Sequence, residues 1–212
     1  MNIELADHTN VLFYLARHGR TDLNAANCFR GTANPHLDSV GIKQAHTLAK
    51  LLEHVELCGI FCSDKLRAVH TADIIGKDNG VPIHQTSQLR ALNVGKFSGQ
   101  KKTPENEAVV QDCVNHPDTP IPGGESFSQF RGRIHPCFEE AICIAQHHGM
   151  PVLIVAHSSI VREAGQWLYG NHKAVLVEPG GLAVVYLKDG KLAADAIFKP
   201  ISSSDPKAST IS

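Results

Sequence analysis

Four short runs of apolar residues, each with at least one β-branched side chain, stand out along the chain: residues 11–16, 59–62, 152–156 and 182–187. Their length and the turn residues that bound them predict buried strands. The last run leads through Asp189-Gly190, a favoured two-residue hairpin turn, into a further strand over 191–198. Between the runs the apolar spacing changes to three and four. Ile42, Ala45, Leu48, Leu52 and Val55 share one helical face after Gly41, and Leu66, Val69, Ala72 and Ile75 share another. Phe127, Phe130, Ile134, Phe138, Ala141 and Ala145 form a third face, and Ile160, Val161, Ala164, Trp167 and Leu168 a fourth. Strands alternating with helices predict βαβ units. The expected fold is a three-layer α/β sandwich: a mostly parallel sheet, helices on both faces and the hairpin as an antiparallel edge. Residues 89–124 carry Gly, Pro and Asn with only a weak period, which predicts an inserted loop-and-helix segment serving as a substrate lid. The Ser/Thr-rich stretch 202–212 reads as a flexible tail.

Composition narrows the class. At 212 residues the chain is long enough for one large domain or two small ones, and it needs no disulfide or metal to support its core. Twenty Lys and Arg against 21 Asp and Glu exclude a protein built to coat nucleic acid or an anionic membrane. The six cysteines include no C-x-x-C pair, and Cys137 and Cys143 fall on an apolar helical pattern; they read as free thiols in a reducing compartment. The first ten residues lack the basic region of a signal peptide, and the apolar run at 11–16 is too short to span a bilayer. The expectation is a cytoplasmic protein with no membrane partner. Thirteen histidines are the unusual count, and their placement decides what they mean.

In open α/β sheets, ligands bind outside the carboxyl ends of the strands. The first predicted strand ends in Arg17-His18-Gly19-Arg20-Thr21. The second runs into Ser63-Asp64, with Arg67 one turn into a helix, and the strand at 152–156 ends in His157-Ser158-Ser159. Two arginines and two histidines thus converge on one crevice. These residue types suit phosphoryl transfer. A neutral imidazole can attack phosphorus, guanidinium groups grip phosphate oxygens in a fork, and helix N-termini add a partly positive anion site.

The order Arg17-His18-Gly19, Thr21, Asn24, then Arg30-Gly31, Pro35, Leu37, Gly41 and Gln44-Ala45 resembles the histidine phosphatase superfamily, which includes the cofactor-dependent phosphoglycerate mutases. The resemblance continues through residues 63–72, Gly124-Glu125-Ser126 and Val155-Ala156-His157, and so covers about residues 11 to 187. It implies a single phosphoglycerate mutase-like domain over 1–201, with no metal and no organic cofactor. By position, it implies His18 as the phosphorylated nucleophile, its other nitrogen held by a backbone carbonyl. Arg17, Arg67 and His157 would complete the phosphate pocket, and Asn24, Gly31 and Ser158 would line it.

One departure bears on mechanism. The family pattern Leu-Arg-Glu places a proton-donating Glu where this chain reads Leu89-Arg90-Ala91. A general acid is worth about 10²–10⁴ in rate, and Ala91 cannot serve as one. Glu105, Glu107 and Asp112 are candidate substitutes; Glu125 fits better as a partner of Arg133 near a helix start. Arg20 stands where the family often has Glu and is expected at the rim of the site. Arg30 suits a substrate carboxylate or a second phosphate, and equally a solvated loop position. His147-His148 fit the C-terminus of a helix better than a metal site. The expected activity is a phosphatase of the histidine acid type, acting on a small phosphorylated substrate or a phosphoprotein. A mutase-type phosphotransferase and a non-catalytic phosphate-binding regulator are the alternatives. Mutases of this family carry extra basic residues between the acid and Gly-Glu-Ser; here residues 92–124 hold no Arg.

Overall fold

The structure, a computed structural model, describes residues 10–200. The tail expected at 202–212 and the first nine residues lie outside them. Six strands, β1 (Val11–Arg17), β2 (Gly59–Ser63), β3 (Ile83–Thr86), β4 (Val152–Ala156), β5 (Leu182–Lys188) and β6 (Lys191–Phe198), form one sheet in the order β3-β2-β4-β1-β5-β6. β3, β2, β4 and β1 run parallel, while β5 and β6 are antiparallel and make one edge. The helices are α1 (Asp22–Ala25), α2 (Ser39–Leu51), α3 (Leu66–Asn79), α4 (Pro104–Asn115), α5 (Phe127–His148) and α6 (Ser158–Tyr169). This is the expected sandwich, with its mostly parallel sheet and edge hairpin.

Alternation along β1 divides the core. Phe13 and Leu15 point to one face, where they join Ile154, Ile134, Phe138 and Ile160. Tyr14 and Ala16 point to the other, with Leu48, Leu52, Ile60, Ala72 and Ile75. Helices α5 and α6 therefore cover one face, and α2 and α3 the other. Phe13 stacks on Phe138 at 5.6 Å, which ties the centre of α5 to the central strand.

Several elements differ from the periodic reading. Helix α2 starts at Ser39, two residues before Gly41, because Asp38 caps it by accepting from the Gly41 amide at 2.8 Å. It ends at Leu51, so Val55 lies beyond it. On α3 the buried stripe is Ala68, Ala72 and Ile75 with Arg67 and Thr71, while Leu66 is 39% exposed. The helix is turned toward its polar residues because these hold the loop after β1: Thr71 Oγ1 accepts from the Gly19 amide at 3.2 Å. Strand β3, with the sequence Ile-His-Gln-Thr, is a half-buried edge strand too polar for an apolar-run search. The segment 89–124 contains α4 and a 3-10 turn at Gly95–Phe97.

Gly19 and Gly41 permit a backbone contact that fixes the start of the site. A Cβ on Gly41 would lie 2.1 Å from the Arg20 carbonyl oxygen, and one on Gly19 would lie 2.3 Å from that of Gly41. Neither obstacle is a side chain that can swing away. Gly41→Ala is expected to destabilise the fold by about 1–3 kcal/mol. At about 2–4 °C per kcal/mol for a chain of this size, scanning calorimetry would register a drop of several degrees.

Candidate active site

Sheet register brings the strand ends together. Arg17 pairs with Ala156 across β1 and β4, and Cys62 pairs with Val155 across β2 and β4. The next residues along the chain, His18, His157 and Ser63, therefore emerge side by side. The His18 and His157 rings lie 5.2 Å apart, centroid to centroid. Arg67 reaches the same place from the first turn of α3, where it is fully buried.

The hydrogen bonds fix the tautomer of His18. Its Nδ1 lies 2.7 Å from the Gly19 carbonyl oxygen and so must carry the proton. Nε2 keeps its lone pair, which accepts from Arg67 Nε at 3.2 Å. Around that nitrogen stand buried groups with no partner among the described residues: Arg17 Nε, Arg67 Nη2 and both ring nitrogens of His157. Buried polar atoms are normally satisfied, and unsatisfied guanidinium N–H groups gathered with an imidazole on one spot mark a place for an anion. Backbone carbonyls anchor both guanidinium groups. Arg17 Nη1 donates to the Val177 carbonyl at 2.9 Å, and Arg67 Nη1 to that of Ala33 at 2.9 Å.

Burial and mutual repulsion set the charge states. Desolvation, then the Arg67 cation, holds His18 well below the ordinary imidazole range, against the opposing pull of the Gly19 carbonyl. Desolvation and Arg67 do the same to His157. Burial pushes Arg17 down to about 9 and Arg67 down to about 10; both stay protonated at neutral pH. Unfolded, the two imidazoles titrate near about 6.5. Folded, they stay neutral to lower pH, so their contribution to stability is complete above that value and is lost as pH falls below it. The slope is up to about 1.4 kcal/mol per pH unit for each histidine. Thermal melts between pH 7.5 and 5 are expected to fall more steeply for the wild type than for His157→Asn.

The other anticipated residues border the same cleft, whose volume is about 950 Å³. Asn24, Arg30, Gly31, Ser158 and Ala91 all line it. Arg30 is half-buried and donates to Ser158 Oγ at 3.3 Å and to the Cys28 carbonyl at 3.2 Å, so it is not a solvated loop residue. Gly31 has φ +45°, and a Cβ there would meet Ser98 Oγ at 2.3 Å. Arg20 does reach the rim, with its charge paired to Asp38 at 2.8 Å. The segment 89–124 is laced to the loop at 27–31: Phe29 N donates to Gln100 O at 2.8 Å, Gly99 N to Phe29 O at 2.8 Å, and Lys102 N to Asn27 O at 3.0 Å.

The carboxylates sort as follows. Glu125 accepts from Arg133 Nη2 at 2.7 Å and from the Asn93 amide at 2.8 Å, the partnership expected of it; it lies just ahead of the Ser126 cap of α5. Of Glu105, Glu107 and Asp112, only Glu107 borders the cleft. Asp112 faces His116 at 3.2 Å on an exposed surface. Two further carboxylates stand on the wall. Glu163 of α6 is buried against His135 at 2.8 Å and Arg131 at 3.2 Å, and Glu178 approaches Arg17 at 3.9 Å. Neither belongs to a motif or a strand end. Among the described residues no group of three His, Cys, Asp or Glu side chains is placed to hold a metal ion, and no helix is long and apolar enough to cross a membrane.

Comparison with known proteins agrees with this geometry. A Yersinia pestis (strain Pestoides F) protein named "Probable phosphoglycerate mutase GpmB" is 33% identical over 148 residues, 68% of each chain. The phosphoglycerate mutase of Bacillus anthracis str. Sterne shares the fold with a TM-score of 0.76 at 24% identity, over 90% of this chain and 93% of that one. A mycobacterial glucosyl-3-phosphoglycerate phosphatase in complex with VO3 superposes with a TM-score of 0.74 at 22% identity, over 87% and 96%. One fold thus serves a mutase and a phosphatase, and the choice between them lies in the site. The family model of the histidine phosphatase superfamily (branch 1) matches residues 13–193, and with it the chain belongs to that superfamily.

Proposed function

We propose that the protein is a phosphatase that transfers a phosphoryl group from a small phosphorylated substrate, or a phosphoprotein, to His18 and then to water. The observation that carries this reading is the Nε2 lone pair of His18, set among unpartnered buried donors of Arg17, Arg67 and His157. As phosphorus approaches, Arg67 Nε exchanges its hydrogen bond to Nε2 for one to a phosphoryl oxygen. The P–N bond forms, the ester P–O bond breaks, and the leaving oxygen departs with the electron pair. Water then attacks the phosphohistidine, the P–N bond breaks, and inorganic phosphate leaves. Arg17, Arg67 and a neutral His157 donate to the equatorial oxygens, where charge accumulates in the transition state. The amides at the start of α6 beside Ser158 add a positive dipole end, and Asn24 and Gly31 line the approach. The machinery needs no metal or organic cofactor. In this reading it sits on one domain over 1–201 of a cytoplasmic protein, with 89–124 as its lid.

Ala91 gives the reaction its character. With a methyl group where the family places its acid, the leaving oxygen receives no proton from that position. The favoured substrates are then those with leaving groups of low pKa: aryl phosphates, acyl phosphates, phosphoramidates and anhydrides. A plot of log kcat/KM against leaving-group pKa should slope steeply downward. A flat plot would mean that another carboxylate supplies the proton, and of Glu105, Glu107 and Asp112 the one on the cleft wall is Glu107. Hydrolysis is favoured over mutase chemistry because only 33 residues separate Ala91 from Glu125 and none of them is Arg, where the mutases of the family carry a longer segment with extra basic residues.

A further inference from the structure

We propose that Gln44, on α2, is a positioning residue for the nucleophile, acting on His18 through the peptide group between Gly19 and Arg20. The inference rests on the reading of His18 as the phosphoryl acceptor.

A trans peptide presents its carbonyl and its N–H in opposite directions, and the Gly19–Arg20 peptide uses both. Its carbonyl accepts from His18 Nδ1 at 2.7 Å, and its N–H, that of Arg20, donates to Gln44 Oε1 at 2.8 Å. Imidazole, peptide and carboxamide thus form one chain of hydrogen bonds, in which the Arg20 donor requires the oxygen of the Gln44 amide to face it. Bonds in such a chain polarise one another. An acceptor on the Arg20 N–H makes the Gly19 oxygen a stronger acceptor for the Nδ1 proton. The need for this arises during attack. When Nε2 gives its lone pair to phosphorus, the ring gains positive charge while the proton stays on Nδ1. The Gly19 carbonyl, polarised by Gln44, stabilises that charge. A carboxylate commonly orients a catalytic imidazole in this way; here a neutral amide does so at one peptide's remove.

The surrounding groups hold that chain in place. The preceding peptide, between His18 and Gly19, is pinned at both ends: Gly180 N donates to the His18 carbonyl at 3.1 Å, and the Gly19 N–H donates to Thr71 Oγ1 at 3.2 Å. The Thr71 hydroxyl in turn donates to the Arg67 carbonyl at 2.7 Å, which ties the nucleophile's loop to the helix that carries Arg67. Gln44 stands three residues after Gly41, on the same face of α2, where the absence of a Cβ lets that helix touch the Arg20 backbone. Gly180, with φ +74°, closes on the stem of Gln44; a Cβ there would lie 2.5 Å from that of Gln44. His18 and Gly19 are buried and Gln44 is half-buried, so the chain runs inward from the cleft wall, away from bulk water.

Two variants test the chain. Gln44→Met keeps helix propensity and side-chain length but removes the acceptor, and Gln44→Glu replaces it with a charged, stronger one. The NMR signal of the His18 Nδ1 proton, assigned by its loss in His18→Asn, reads the hydrogen bond without requiring turnover. It is expected to move upfield in Gln44→Met and downfield in Gln44→Glu. Quenched-flow with an aryl phosphate should show phosphohistidine forming about tenfold more slowly in Gln44→Met, the size of one neutral hydrogen bond. Calorimetry with inorganic phosphate should give an unchanged affinity in the same variant, since the donors of Arg17, Arg67 and His157 are untouched. A proton that does not move in Gln44→Met, or an unchanged rate of adduct formation, overturns the inference and leaves the phosphatase reading standing. If Gln44→Met does not fold, Gln44→Glu decides alone: a proton that stays in place or moves upfield overturns the inference. A wild type that forms no adduct overturns the phosphatase reading, and the inference with it.

Discussion

An aryl phosphate mixed with the protein and quenched without acid is expected to leave one phosphate on the peptide containing His18, and His18→Asn is expected to carry none. Asn is the appropriate replacement, since its side-chain amide can still donate to the Gly19 carbonyl that now holds Nδ1 at 2.7 Å. What it lacks is the Nε2 lone pair. Because the nucleophile and its neighbours act as a unit, its loss should lower kcat by at least about 10⁴-fold. Phosphate binding should survive in part, because Arg17, Arg67 and His157 remain with their unpartnered donors. Mass spectrometry at neutral pH reads the adduct, and calorimetry with inorganic phosphate reads the pocket. If wild type forms no adduct and turns nothing over while still binding phosphate, the protein is a phosphate-binding regulator in a catalyst's fold.

The central strands were legible because a buried parallel strand must be apolar along its whole length, as Val152–Ala156 is. The convergence of the strand ends was legible for a related reason. Once β1, β2 and β4 are adjacent and in parallel register, whatever follows each strand is brought to one edge, so His18, Arg67 and His157 could be grouped before any contact was visible. Helix α3 shows the limit of that approach. Its buried stripe includes Arg67 and Thr71, which serve the site, and a search for apolar periodicity selects Leu66 instead, which is exposed. Lys102, Arg162, Glu163 and Glu178 reach the cleft only through tertiary packing, from a loop, two positions on a helix and a turn. No local pattern distinguishes such residues from surface charge.

Ala91→Glu should restore a general acid and speed alkyl phosphates by about 10²–10⁴-fold, with little change for aryl phosphates. The backbone there is well held: the Ala91 carbonyl accepts from Arg133 Nη2 at 3.1 Å, and the next amide, of Leu92, donates to Ser159 Oγ at 3.1 Å. A longer side chain at 91 therefore starts from a fixed point on the cleft wall, next to the first turn of α6. Arg133 would not capture the new carboxylate, since Glu125 already pairs with it at 2.7 Å and 3.0 Å. The gain should need the protonated acid and so weaken as pH rises, while the leaving-group slope flattens. No gain on alkyl esters, together with a slope already flat in the wild type, would place the proton donor elsewhere. Glu107→Gln then becomes the decisive variant. If Glu107 supplies the proton across the cleft from α4, its amide should steepen the slope and slow alkyl esters selectively; if the site works without an acid, Glu107→Gln should leave the slope unchanged.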